Sequence, residues 1–472
     1  MADDALVTPE AWVPRGEAVI TRGRRRLLIW GGIPGEQAIV RIYRQGQHQD
    51  MGRFLEPARQ PHPLRREPPC DKYTLCGGCP LMHLTTPGQH RARLALIRYA
   101  LREYGLEAHT PKSVVSSPDG DEGYRHVVKV VIGYSDRGSL RLGALGRDSH
   151  TIVPIPKCNV ATEKLRLVMG SLAHHILNLE IQPYDTKRDR GVLRYAVIRQ
   201  SRSTGEILLT LVAGRKDRIL GELVEAVSTQ NPDIAAIHLH LNDIEGNSIF
   251  DRDEDGRVGV LPMRGNMVIE DELGGIKMQI GPGDFFQINP AMADVIVADV
   301  LEAFAGDRDR PAIDLYSGVG GFALALGKAH GWSLGIEGIT SAVTRARANA
   351  RLNRISAEFI AGDVVDVLPD VKTRLNGRAP VVVVDPARRG LEAGVIEGLL
   401  DLAPARIAYL SCNPRTMARD MAAFVEAGWS IQSVKAYDMF PQTAHIETLA
   451  ILTPADAPPP VTRRAPRRKV IR

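Results

Sequence analysis

Cysteine is scarce in this chain. There are five in 472 residues: Cys70, Cys76, Cys79, Cys158 and Cys412. No basic-then-apolar leader opens the sequence, so a framework of structural disulfides is excluded and the expected compartment is the cytoplasm. No run of eighteen apolar residues occurs, which excludes a transmembrane helix. Charge of one sign is also missing, since the formal net charge is only +5. What is present is an ordinary globular composition, 44% hydrophobic and 24% charged, over a length that calls for two or three domains.

The small net charge hides an asymmetry. Residues 1–66 carry a balance of +4 and residues 459–472 a balance of +6, so the body between them is slightly acidic. Basic ends on an acidic body suit contact with a polyanion, most simply RNA. The first dozen residues read as disordered. Short apolar pieces such as Ala18–Ile20, Leu27–Trp30 and Ala38–Tyr43 then read as strands of a small β-barrel over residues 1–60. Its hairpin tip, Arg22–Arg26, holds four arginines and is an expected RNA contact.

Residues 61–283 read as a central α+β domain. Three of the five cysteines cluster there as Cys70-x5-Cys76-Gly-Gly-Cys79. Clustered thiolates point to a metal centre, and Cys158 is the available fourth ligand apart from Cys412. Four thiolates suit either an iron–sulfur cluster or zinc. The three-plus-one spacing lacks the two close pairs usual for zinc, and so favours iron–sulfur. His238 and His240 alternate on a predicted strand and read as structural.

From residue 284 a regular βα alternation begins and runs to about 456, predicting a doubly wound, Rossmann-like α/β domain. The tail, 457–472, reads as basic and disordered. Gly318, Gly320 and Gly321 follow the first strand of this domain and allow a tight turn and close approach of a ligand. Glu337, Asp363 and Asp385 end the next three strands. Carboxylates at successive strand ends suit the sulfonium of S-adenosylmethionine better than a pyrophosphate, although each alone would also serve as a helix cap. Cys412, in Ser411-Cys412-Asn413-Pro414, ends a further strand, and Glu447 opens the last one. A thiol, a base and a methyl donor are the kit for methylating a pyrimidine at C5. Thiolate addition at C6 makes C5 nucleophilic, and a base must later remove the C5 proton. Glu447 is the expected base, with His445 its rival.

Several motifs together resemble the bacterial RNA 5-methyluridine methyltransferases, which include 23S rRNA and tRNA enzymes. They are IPGE at 33–36, the four cysteines, FFQIN at 285–289, DLYSGVGGF at 314–322, DPARRG at 385–390, SCNP at 411–414 and DMFPQTAHIE at 438–447. The resemblance spans nearly the whole chain. It implies a TRAM-type RNA-binding domain at 1–60 and a [4Fe–4S] cluster on Cys70, Cys76, Cys79 and Cys158. It implies Cys412 as nucleophile, Glu447 as proton acceptor, and S-adenosylmethionine contacts from Gln287, Tyr316, Gly318, Gly321, Glu337, Asp363 and Asp385. Gly321 stands where relatives often have a polar side chain, so a side-chain contact is lost there. The expected activity is uridine-C5 methylation of structured RNA, with 23S rRNA ranked ahead of tRNA. The rival readings are an RNA cytosine-C5 methyltransferase and a non-catalytic RNA-binding protein.

Overall fold

In the computed structural model of the protein, residues 3–455 are described apart from 136, 148 and 247. The basic tail expected at 457–472 lies outside the described residues. Among the described residues no helix is long and apolar enough to cross a membrane.

The N-terminal segment forms a six-stranded sheet in the order Asp3–Val7, Ala38–Arg44, Gln49–Pro57, Arg25–Trp30, Ala18–Arg22, Ala11–Trp12. The opening residues, expected to be disordered, are therefore its edge strand. Val7 is buried with Ile20, Ile29 and Val40, and Asp4 pairs with Arg41 at 2.9 Å, so the edge gains both packing and a partner. The two end strands are not hydrogen-bonded to each other, so the ladder stays open among the described residues. The arginine hairpin turns at Gly23, which has a positive φ, and its arginines are exposed.

A second, seven-stranded sheet spans Val127–Gly265, with helices Glu163–Asn178 and Ile219–Gln230 burying their apolar stripes against it. His240 lies on one of its strands. Its ring bonds Gly259 O at 2.7 Å and accepts the Asp251 amide at 3.0 Å, the structural role expected.

The third sheet has eight strands. Its order is Ala357–Ala361, Ser333–Glu337, Ala312–Leu315, Val381–Val384, Arg406–Ser411, Glu447–Pro454, Trp429–Tyr437, Val114–Val115. The first five are mutually parallel, and Glu447–Pro454 runs antiparallel between its neighbours. Helices cover both faces, which is why the central strand is four consecutive valines. Val382 and Val384 face one apolar cluster, and Val381 and Val383 face the other. Each such burial is worth about 1.5–3 kcal/mol.

Two pieces from outside the βα repeat join this core. Helix Thr86–Arg102 buries Ile97 and Leu101 against the sheet, and Val114–Val115 adds its edge strand. Thr85 caps that helix and Pro87 sits in its first turn, where a missing amide costs nothing. The hairpin Ile269–Leu273/Ile276–Ile280 packs on the opposite face.

Candidate active site and cysteine cavity

The parallel strands all end at one edge of the third sheet. Tyr316, Glu337, Asp363, Asp385 and Cys412 follow those ends. Glu447 is the first residue of an antiparallel strand, so it begins where its neighbours finish. The register pairs Ser411 with Thr448, and the next step sets Cys412 opposite Glu447. Thr448 clamps the junction by donating to Ser411 O at 2.9 Å.

Local chemistry makes the Cys412 turn stiff. The Asn413 side chain caps helix Pro414–Glu426 through the Arg415 amide at 3.2 Å, and Pro414 occupies the first helical position. Asn413 Nδ2 also donates to Arg388 O at 2.8 Å, tying this turn to the DPARRG loop.

The loop after Ala312–Leu315 is equally constrained. Tyr316 holds a left-handed backbone (φ 66°), rare for an aromatic residue. The Glu337 carboxylate accepts from the Gly318 amide and the Ile339 amide, both at 2.9 Å. Asp363 is exposed and caps helix Val364–Leu375 through the Val365 amide at 3.0 Å. Gly321 begins helix Gly321–His330, and a Cβ there would lie 3.0 Å from Leu273. Its smallness thus serves the packing of the hairpin. Gln287 is half-buried, two residues before Asn289, whose side chain donates to Met439 O at 3.2 Å.

Acidity dominates this edge. Burial is the main cause that pushes Asp385 up to about 7 and holds Glu447 well above the usual carboxylate range. Burial also raises the Cys412 thiol, with Glu447 adding to the rise and Arg388 opposing it. His445 is driven down to about 4 by desolvation and by the Arg388 charge beside it. The sequence reading missed Asp314. It is buried, accepts the Ala323 amide at 2.7 Å through one oxygen, and leaves the other without a partner. Desolvation and the nearby Asp385 and Glu337 charges raise it well above its ordinary value. An aspartate within an otherwise apolar strand was the available signal.

A second omission is the scaffold of the loop Asp438–Ile446, which delivers Glu447. Arg93 is fully buried. It donates to Phe440 O at 3.0 Å and Thr443 O at 3.1 Å and forms an ion pair with Asp438 at 2.9 Å. Gln442 has a positive φ of 72°. It exchanges two hydrogen bonds with Gln89 (2.8 and 2.9 Å), accepts from Arg66 at 2.9 Å and donates to Asp121 O at 3.0 Å. The Leu81 amide and the Tyr124 hydroxyl hold Gln442 O and Pro441 O, each at 2.9 Å. Gly16 of the N-terminal sheet completes the cage, because a Cβ there would touch Pro80, Leu81 and Ala444.

The four clustered cysteines line one cavity of about 300 Å3. Met82, Tyr124 and Val160 pack beside it. The Gly78 amide donates to Cys76 Sγ at 3.4 Å. Burial raises the thiols of Cys70, Cys76 and Cys79. Among the described residues no three His, Cys, Asp or Glu side chains draw close enough to hold a single metal ion.

The family described as tRNA (Uracil-5-)-methyltransferase matches residues 275–454, from the second strand of the hairpin through the third-sheet repeat. An RNA methyltransferase of Gloeobacter violaceus, itself uncharacterized, is 33% identical over 93% of this chain and 93% of its own length. The chain belongs to the RNA uracil-5-methyltransferase family. It is accordingly an S-adenosylmethionine-dependent RNA (uracil-5-)-methyltransferase. A Clostridium tetani relative, also named as an uncharacterized RNA methyltransferase, is 30% identical over 93% of this chain. Among solved structures, the Pyrococcus abyssi tRNA (uracil-54, C5)-methyltransferase in complex with S-adenosyl-L-homocysteine is 25% identical. It superposes with a TM-score of 0.75, covering 95% of this chain and 99% of that one.

Proposed function

We propose that this enzyme methylates C5 of a uridine in structured RNA through a covalent bond between Cys412 Sγ and C6 of the base. The observation that carries the reading is that Cys412 and Glu447 flank the last Ser411–Thr448 pair of one antiparallel ladder, with the Glu447 charge acting on the thiol. Bound S-adenosylmethionine supplies an electrophilic methyl group. Gln287, Tyr316, Gly318, Gly321, Glu337, Asp363 and Asp385 would hold it, and their carboxylates suit its sulfonium charge. The target base is extruded to reach this edge. Cys412 adds to C6 as a thiolate and makes C5 nucleophilic. Once C5 carries the methyl group, Glu447 takes the proton that remains there, and the C5–H electron pair reforms the C5=C6 bond as Cys412 leaves as a thiolate. Burial raises the proton affinity of Glu447, so in its ionised form it is a stronger base than an exposed carboxylate. His445, unprotonated down to about pH 4, is a weak one.

Cys70, Cys76, Cys79 and Cys158 would hold a [4Fe–4S] cluster. The support is a cavity lined by four thiols together with an amide aimed at one sulfur. The N-terminal sheet with its arginine tip would act as a TRAM-type RNA-binding domain. The solved relative and the matching family carry tRNA in their names, while the motif resemblance ranked 23S rRNA first.

Methyl transfer to tRNA and to 23S rRNA transcripts, followed by nucleoside analysis, separates these substrates and distinguishes 5-methyluridine from 5-methylcytidine. Cys412→Ala should abolish both product and covalent RNA adduct, whereas Glu447→Gln should accumulate the adduct. Full turnover by either variant would end the mechanism. Anaerobically purified protein should be brown and contain iron; a colourless protein with one zinc would overturn the cluster assignment.

A further inference from the structure

The proposed reaction requires a thiolate at Cys412, yet the surroundings oppose one. The charged and titratable groups acting on this thiol are Glu447 from the last strand and Asp385 and Arg388 from the loop after Val381–Val384. Two of the three are carboxylates. Only Arg388 carries the charge that would compensate a sulfur anion.

Arg388 is also placed for it from three directions. Its backbone carbonyl receives Asn413 Nδ2 at 2.8 Å and the Thr416 hydroxyl at 3.3 Å, which locks its loop to the residues just after Cys412. One terminal nitrogen lies 3.1 Å from His445 Nδ1 and 3.3 Å from His445 Nε2. Lying almost equally far from both ring nitrogens, the guanidinium rests against the imidazole. The Arg388 charge also reaches the Cys412 thiol and favours its ionised form. His445 in turn stacks edge-on with Phe440 at 6.0 Å, so the arginine is braced by the cage that delivers Glu447.

We propose that Arg388 is a catalytic residue of this methyltransferase, the cation that stabilises the Cys412 thiolate, with neutral His445 as the positioning residue that holds its guanidinium in place. The inference rests on Cys412 being the nucleophile. The thiol proton passes to solvent. The S–C6 bond then forms with the sulfur electron pair, and the C5=C6 π electrons shift toward O4. Arg388 loses no proton at any stage. His445 must stay uncharged, because an imidazolium would repel the guanidinium it supports.

The test follows alkylation of Cys412 by iodoacetamide against pH, read by peptide mass spectrometry so that the other four cysteines do not interfere. The site is open to solvent, so screening limits the effect. In Arg388→Gln the alkylation rate at pH 7.5 should fall about three- to tenfold. This corresponds to a rise of about half to one unit in the apparent thiol pKa. Arg388→Lys should recover most of the loss, because a charge of the same sign returns. An unchanged profile in folded Arg388→Gln, or no recovery in Arg388→Lys, overturns the proposal. Should the Gln variant not fold, Arg388→Met is read in its place. A Cys412→Ala enzyme that still forms the RNA adduct would instead defeat the nucleophile assignment, so the two failures are distinguishable.

Discussion

Replacing Arg93 by Met keeps most of the side-chain volume and removes the guanidinium. In the native protein that group is 0% exposed and the paired Asp438 is 2% exposed. Its ion pair is 2.9 Å long, and it supplies two of the hydrogen bonds that fix the loop carbonyls of Phe440 and Thr443. Breaking one partner of a buried pair costs about 3–5 kcal/mol, chiefly through the charge left behind. His90, 3.2 Å from Asp438, remains as a partial partner and keeps the loss within that range. At about 1.4 kcal/mol per decade, the loop Asp438–Ile446 should open about two to three and a half orders of magnitude more often. Amide hydrogen exchange of that peptide measures the opening directly, and methylation should fall with it because Glu447 is the next residue. Lys372→Ala is the control. It breaks an exposed pair with Asp401 and should cost about 0–1 kcal/mol with no change in the loop. Exchange in folded Arg93→Met within threefold of the native rate would refute the claim that a buried cation holds the catalytic loop.

Gly390 has φ +76°, and a Cβ there would sit 2.6 Å from Asp420 Oδ2. That oxygen accepts the Leu391 amide and the Tyr409 hydroxyl, so Gly390→Ala adds a clash with a buried network to left-handed strain of about 1–2 kcal/mol. A total loss of about 2–4 kcal/mol is expected in urea unfolding, and less than 1 would contradict the geometry. Asp385 supplies a pH test. Its value is raised from 3.8 to about 7, so between those values the folded chain holds a proton that the unfolded chain has released. The group favours folding below about pH 4, and that contribution is lost as pH rises through about 7. Asp385→Asn should therefore gain melting temperature relative to the native protein from pH 4 to pH 8. A constant difference would show that Asp385 titrates normally.

Motif chemistry carried much of the site. SCNP is legible because Asn413 and Pro414 are a helix cap and a first helical residue. Three acidic residues at strand ends follow from the βα repeat. The four valines at 381–384 lack the polar alternation of a one-sided strand, in keeping with their burial on both faces. Helix Thr86–Arg102 carries its apolar stripe through Leu94, Ile97 and Leu101. Its place in the third sheet's core is not legible in the sequence, since an apolar stripe does not name the surface it will cover. The edge strand Asp3–Val7 was missed because five residues with two acids carry too little periodicity to read.

The amino-acid sequence by itself determined the α/β class, and it singled out the four-cysteine set and the thiol and carboxylates proposed to react. Those follow from local spacing and from the chemistry of each side chain. Only the tertiary structure decided that Glu447 meets Cys412, because the last strand inserts antiparallel and its first residue lands at the edge where the parallel strands end. Only the tertiary structure, too, tied Arg388 to the turn after Cys412 and set Gln89, Arg93 and Tyr124 around the loop Asp438–Ile446. These contacts join residues more than three hundred positions apart or in separate loops. Long-range pairing of that kind is set by how whole faces bury together, and no stretch of the chain encodes it alone.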